Sequence, residues 1–147
     1  MTMPKMYRAM KCAADGLPTV GNRSKELGVR EPPGAHADVD VDPKNQVVLN
    51  GRGMSVAQNW RHLLPHLIPK RLQASGLCAD ASGPNSLACF TLGEGEFASE
   101  PISAGIALAL KPHDPYGGNV VPTAAVALAR FQSDLSATRE QWLIDET

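Results

Sequence analysis

Arg8, Ser55, Glu94, Glu96, the His62/His66 pair, three cysteines and a run of alternating aspartates are the side chains of this 147-residue chain whose types and spacing could do chemistry. Two histidines four residues apart place their imidazoles on one helix face, as a metal site would. Pro65 lies between them, and no Glu or Cys stands nearby at ligand spacing, so a metal is not expected. Asp38, Asp40 and Asp42 alternate with Val39, Val41 and Pro43, but the central Gly and distal Glu of a calcium loop are missing. Cys12, Cys78 and Cys89 are odd in number and show no CxxC spacing, which disfavours a disulfide framework or a zinc ribbon. Reduced thiols of a cytosolic protein fit better. Ser55 lacks the Gly-x-Ser-x-Gly elbow of a Ser-His-Asp hydrolase, and next to Val56 it could simply bond the backbone. Glu94-Gly95-Glu96 is a short acidic turn in a Gly-rich loop. Trp60 could stack on a ring of a ligand or fill the core.

The elements that must position these groups are short. Lys5 to Ala13 alternates in part, and predicts a first strand ended by Asp15-Gly16 and Pro18. If Met6, Met10 and Cys12 point inward, Arg8 points inward with them and needs an acceptor, because an unpaired buried charge is very costly. An edge strand would instead leave Arg8 in water. Ser24 could cap a short helix through Leu27, ended by Gly28. Gln46–Leu49 and Met54–Ala57 flank Asn50-Gly51, a hairpin signal. Asn59 could cap Trp60–Leu64, while Pro65 and Pro69 keep any helix short. Residues 74–86 form a Gly/Ser/Pro loop. Leu87–Leu92 and Ile102–Leu110 are further strands, and Val120-Val121 is a short fourth. Pro115–Asn119 is a turn. Thr123 to Trp142 predicts one long helix, with Leu128, Phe131, Leu135 and Trp142 on a single apolar stripe.

Length and composition bound the rest. One domain over residues 1–147 is expected, with 13 Gly and 12 Pro making it loop-rich. The start Met1–Arg8 lacks a signal-peptide core, and no run reaches the roughly 18 apolar residues of a membrane span. The net charge of −1 hides an asymmetry. Residues 1–75 hold 11 Lys/Arg and 6 Asp/Glu, a balance of +5; residues 76–147 hold 3 and 9, a balance of −6. Either the halves neutralise each other on folding, or a basic wall for an anionic ligand faces an acidic one. Nucleic-acid binding would rest on the basic half alone, which lacks interleaved aromatic residues.

Four stations in chain order resemble the small ADP-ribosyltransferase-like toxins of bacterial type VI secretion systems. They are Tyr7-Arg8 on the opening strand, Gly53-Met54-Ser55-Val56, similar to the family's Gly-x-Ser-Val, and Leu63-Leu64-Pro65-His66-Leu67-Ile68-Pro69, similar to its Leu-Pro-Pro-His-x-x-Pro. The fourth is the C-terminal segment carrying Leu128, Phe131-Gln132, Leu135, Thr138-Arg139 and Trp142.

The resemblance implies a compact fold of α+β class, a small, strongly bent and split β-sheet with few helices, forming a cleft for NAD, which is the substrate. It implies cleavage of the nicotinamide–ribose bond, by ADP-ribosyl transfer or by glycohydrolysis. An Arg then holds phosphate or ribose through its donor fork, and a Ser on a central strand props the site through its hydroxyl. Arg8 takes the first role and Ser55 the second, with Tyr7 and Trp60 as further cofactor contacts. A carboxylate would stabilise the oxocarbenium-like transition state. Relatives carry a Glu just before a Pro ahead of the last helix, where this chain has Val121-Pro122; Glu96, and after it Glu94, are the alternatives. The implied setting is the bacterial cytoplasm, with an unidentified macromolecular target, a cognate immunity protein, and no nucleic acid or membrane as partner. The rival implication of Val121 is a non-enzymatic binding module that keeps the fold.

Overall fold

The computed structural model describes residues 2–74, 76 and 78–147, so Met1 of the opening segment and Ser75 and Leu77 of the expected loop lie outside the described residues. Among the described residues, seven strands form one antiparallel sheet: β1 (Met6–Lys11), β2 (Met54–Ala57), β3 (Leu87–Leu92), β4 (Pro101–Ser103), β5 (Ile106–Lys111), β6 (Asp114–Pro122) and β7 (Leu143–Ile144). Their spatial order is β4-β5-β6-β2-β1-β3-β7, and the sheet curls into a half-barrel with one α-helix, α1 (Leu128–Ser136). Sheet plus helix agrees with the α+β class expected above. No helix among the described residues is long and apolar enough to cross a membrane.

The sheet is continuous in order but nearly parted at its middle. β1 and β3 are in register at six positions and β2 and β6 at four, whereas β1 meets β2 at the single pair Tyr7↔Ala57. One half of the sheet is therefore β4-β5-β6-β2 and the other β1-β3-β7.

β1 is buried on both faces, and its alternation feeds two cores. Met6 and Met10, each 0% exposed, pack into the larger one with Phe90, Leu108, Val120 and the helix stripe. Tyr7 points the other way, into a smaller core with Trp60, Ile68, Leu72, Ala81 and Cys89. Leu128, Phe131, Leu135 and Trp142 are all buried, as their spacing requires. Each fully buried side chain of this size contributes about 1.5–3 kcal/mol.

Several elements differ from the sequence expectation, each for a tertiary reason. Residues 24–27 form a turn rather than a helix; Leu27 bridges Val20, and the Ser24 and Glu26 carbonyls accept from Arg8 instead of from a following helical turn. Asn50-Gly51 does not join a hairpin, because Gln46 bridges Ala127 and Val47 bridges Val41, leaving β2 to β1 and β6. Ile102–Leu110 is two strands, folded back at Gly105 with φ +90°. Pro115–Asn119 is not a turn but part of the nine-residue β6. The helix is shorter than its apolar stripe: Val126 and Ala127 are held by Val47 and Gln46, and Thr138 Oγ1 donates to the Leu135 carbonyl at the other end. The Asn59 cap forms as expected, accepting from the Arg61 N–H at 3.0 Å and opening a one-turn 3-10 helix over Trp60–His62.

Candidate binding cleft

Arg8 sits where the two halves of the sheet part. Its side chain is carried inward between Met6 and Met10, and the residue is only 7% exposed. Its acceptors are backbone carbonyls. Nη1 donates to Ser55 O at 2.7 Å; Nη2 donates to Ser24 O at 3.1 Å and to Glu26 O at 3.0 Å, and Nε donates to Glu26 O at 3.4 Å. A guanidinium has five N–H donors, so these four bonds leave one N–H, on Nη1. Burial pushes Arg8 down to about 10, with Asp38 opposing the shift and Arg30 adding to it.

Ser55 is brought to Arg8 across 47 positions of sequence. The contact runs through the Ser55 carbonyl rather than the hydroxyl assigned to it from the sequence. Met54 and Val56 turn into the larger core, so the Ser55 side chain faces away from it and is exposed. It borders two cavities that meet at Ser55, Leu64 and Leu67.

The larger, about 340 Å³, is also bordered by Arg8, Ser24, Lys25, Arg30, Asp38 and His66. Asp38 is engaged there: its carboxylate accepts from Arg30 Nη2 at 2.9 Å, Nε at 3.2 Å and the Arg30 backbone N–H at 2.7 Å. That pairing raises the Arg30 pKa. Lys25, Arg8 and the Arg30 side of the pair make this end cationic.

The smaller cavity, about 160 Å³, is bordered by His62, Lys111, Asp114, Tyr116 and Gly117. His62 and Tyr116 stack, with ring centroids 4.0 Å apart and planes at 22°. Asp114 accepts the Tyr116 N–H at 3.0 Å. A β-carbon on Gly117 would stand 2.5 Å from Asp114 Oδ2 and 3.2 Å from Lys111 Cδ, so both side chains lie over that glycine. The two cavities adjoin through Ser55, Leu64 and Leu67, one with a cationic lining and the other with an aromatic one, and together they are the candidate cleft.

The other sequence candidates lie elsewhere. Tyr7 faces the smaller core, 4% exposed, and its hydroxyl donates to Asp145 at 2.7 Å. Trp60 is fully buried there, its indole N–H donating to the Thr147 carbonyl at 3.3 Å, so no ring face is open to a ligand. Glu94 borders a separate cavity with Thr2, Met3 and Thr91, while its backbone N–H and that of Gly95 donate to Met3 O. Glu96 is exposed and borders neither part of the cleft. Val121 pairs with Ala107 inside the sheet. His62 and His66 are both exposed; among the described residues no three His, Cys, Asp or Glu side chains group as metal ligands do.

Lys25, Arg30, Lys111, Asp114 and Tyr116 were not singled out by sequence reasoning. The +5 balance of residues 1–75 carried the signal for the cationic end. Nothing local marks Tyr116, because its place beside His62 depends on β6 running through the glycine pair 117–118. A larger cavity of about 560 Å³ is bordered by Thr2, Met3 and residues 100–103 and has Glu100 as its one charged side chain, so it offers no comparable chemistry. No family model, curated protein or solved structure matches the chain significantly.

Proposed function

We propose that the cleft binds NAD and that the protein is an ADP-ribosyltransferase-like toxin acting in the bacterial cytoplasm, by ADP-ribosyl transfer or NAD glycohydrolysis. The observation that carries this reading is the meeting of Arg8 and Ser55, from β1 and β2, at a cation-lined cleft where the sheet parts. The pyrophosphate lies at Lys25 and Arg30, where the spare Arg8 N–H adds a donor. Ser55 borders the ribose. The carboxylate role that the motif gave to Glu96 passes to Asp114, since Asp38 is held by Arg30.

In the reaction, the C1′–N bond of the nicotinamide ribose breaks and its electron pair leaves with neutral nicotinamide. Asp114 stabilises the positive charge that develops on C1′ and the ring oxygen. Water, or a nucleophile of the target, adds to C1′ and loses its proton to the carboxylate. A cognate immunity protein would carry acidic side chains to the cationic mouth and occlude it.

The test is release of nicotinamide from NAD by the purified protein, together with transfer of label from NAD to bacterial lysate. Turnover that falls in Asp114→Asn supports the reading; no turnover and no NAD binding overturn it. A second reading, a binding module without catalysis, is favoured by the placement of Glu94 and Glu96 away from the cleft. NAD binding without turnover, and no toxicity on expression in bacteria, would select it.

A further inference from the structure

We infer that Asn50 is a self-modifying position: the Gly51 backbone nitrogen attacks the Asn50 side-chain amide, and the residue converts to aspartate and isoaspartate in the folded protein. Asn50-Gly51 closes no hairpin, and neither residue borders the cleft, so nothing described above uses the pair.

Three observations carry the assignment. Of the six asparagines in the chain, Asn50 alone precedes a glycine. At the others the following nitrogen belongs to a residue whose β-carbon crowds the approach, an atom glycine lacks. The nucleophile is also open. Asn50 and Gly51 are both exposed, and Gly51, at φ +83°, has nothing within 4 Å of where a β-carbon would stand. Its carbonyl accepts from Asn119 Nδ2 at 2.9 Å, but its N–H makes no hydrogen bond among the described residues. By contrast, the Gln46 N–H after Asn45 donates to Asp42, and Val120 after Asn119 lies within the paired β6. The electrophile is held as well. Asn50 Oδ1 accepts the Arg52 N–H at 3.2 Å, which turns the carboxamide back along its own backbone, and Nδ2 donates to Asp40 Oδ2 at 2.7 Å.

In the step, the Gly51 nitrogen loses its proton to solvent and bonds to Asn50 Cγ. The Arg52 N–H donates to the negative charge that develops on Oδ1. The Cγ–Nδ2 bond breaks, and Nδ2 leaves as ammonia with a proton from water, giving a cyclic imide. One water then adds to either imide carbonyl and cleaves its bond to the Gly51 nitrogen. Cleavage at Cγ gives aspartate in an ordinary peptide; cleavage at the backbone carbon gives isoaspartate. The net change is one water consumed and one ammonia released, with no oxidant. Aspartate formed here sets a carboxylate against Asp40 where a hydrogen bond stood, and the two compete for Arg52.

The experiment incubates the folded full chain in neutral buffer and follows each asparagine by peptide mapping, with electron-transfer fragmentation to tell isoaspartate from aspartate. Gly51→Ala is carried in parallel, with thermal melts to confirm folding. In wild type, Asn50 should convert about tenfold faster than any other asparagine, and both products should appear. Gly51→Ala should slow conversion at Asn50 about tenfold, since a β-carbon then flanks the nucleophile. Alanine is strained at φ +83°, so if that variant does not fold, the comparison within wild type with Asn85, which precedes the small Ser86, decides. Conversion at Asn50 no faster than at Asn85, or unchanged in a folded Gly51→Ala, overturns the inference. Aspartate without isoaspartate overturns it too, because direct hydrolysis of the amide needs no attack by Gly51.

Discussion

The Arg8 guanidinium donates to the Ser55 carbonyl at 2.7 Å across the gap between β1 and β2. The ladder between these strands has a single register pair, Tyr7↔Ala57, so this side-chain bond does part of the work of missing backbone pairing. Arg8 is thus a structural clasp, with one N–H of Nη1 left over.

Arg8→Ala should therefore destabilise the fold by at least about 3 kcal/mol, since three part-buried carbonyls lose charged donors. Arg8→Lys should recover less than half of this, because an ammonium cannot span the planar fork. Urea denaturation of the two variants checks both statements. Loss of toxicity in Arg8→Ala then carries weight only where the variant is folded.

Ser55→Ala should leave stability within about 0.5 kcal/mol of wild type, since the side chain is exposed. Asp114→Asn should lower NAD turnover about 100-fold, in the range removed with a catalytic proton acceptor. Glu96→Gln should leave turnover unchanged. Nicotinamide release, measured for the three variants alongside thermal melts, decides between Asp114 and Glu96.

Trp60→Ala should cost about 3–5 kcal/mol of stability, as for other fully buried aromatic residues. Trp60→Phe should cost less and leave NAD affinity within twofold, because the ring is in the core rather than in the cleft. A drop in affinity with unchanged stability would place Trp60 back at the ligand.

Tyr7 and Asp145 define a pH window. The Tyr7 hydrogen bond is the leading cause that holds the Asp145 carboxyl below its ordinary 3.8. Burial first, and the bond to Asp145 second, raise Tyr7 above its ordinary 10.0. A depressed acid stabilises the fold above its unfolded pKa and loses that contribution as pH falls through the folded value. Tyr7 must stay protonated in the fold, so its contribution is lost as pH rises above about 10. Unfolding free energy against pH should fall at both ends, and Tyr7→Phe should flatten both limbs.

Much of the fold is legible in the sequence where local pattern and tertiary demand coincide. Leu87–Leu92 is β3 to the residue, and the spacing of Leu128, Phe131, Leu135 and Trp142 gives the buried stripe of α1 and the turn beyond it. The partial alternation of Lys5–Ala13 places Arg8 inward and so demands acceptors, which Ser24, Glu26 and Ser55 supply. What pattern cannot reach is pairing between distant segments. Val47 prefers Val126 and Val41 to the neighbouring strand across Asn50-Gly51, and no local property of either segment encodes that choice. The site is legible to the same degree. Arg8 and Ser55 carry marks of type and place, whereas Tyr116, Asp114 and Lys111 acquire meaning only when β5 and β6 bring their turn beside residues 62–67.

The single Tyr7↔Ala57 pair also makes the middle of the sheet its sparsest backbone seam. The two leaves share the larger core, where Met6, Met10 and Phe90 of one pack with Leu108 and Val120 of the other, so the seam is held by side-chain packing and the Arg8 clasp rather than by a backbone ladder. The amides of residues 54–57 that face the seam would exchange with solvent on opening far faster than those of the β1–β3 ladder.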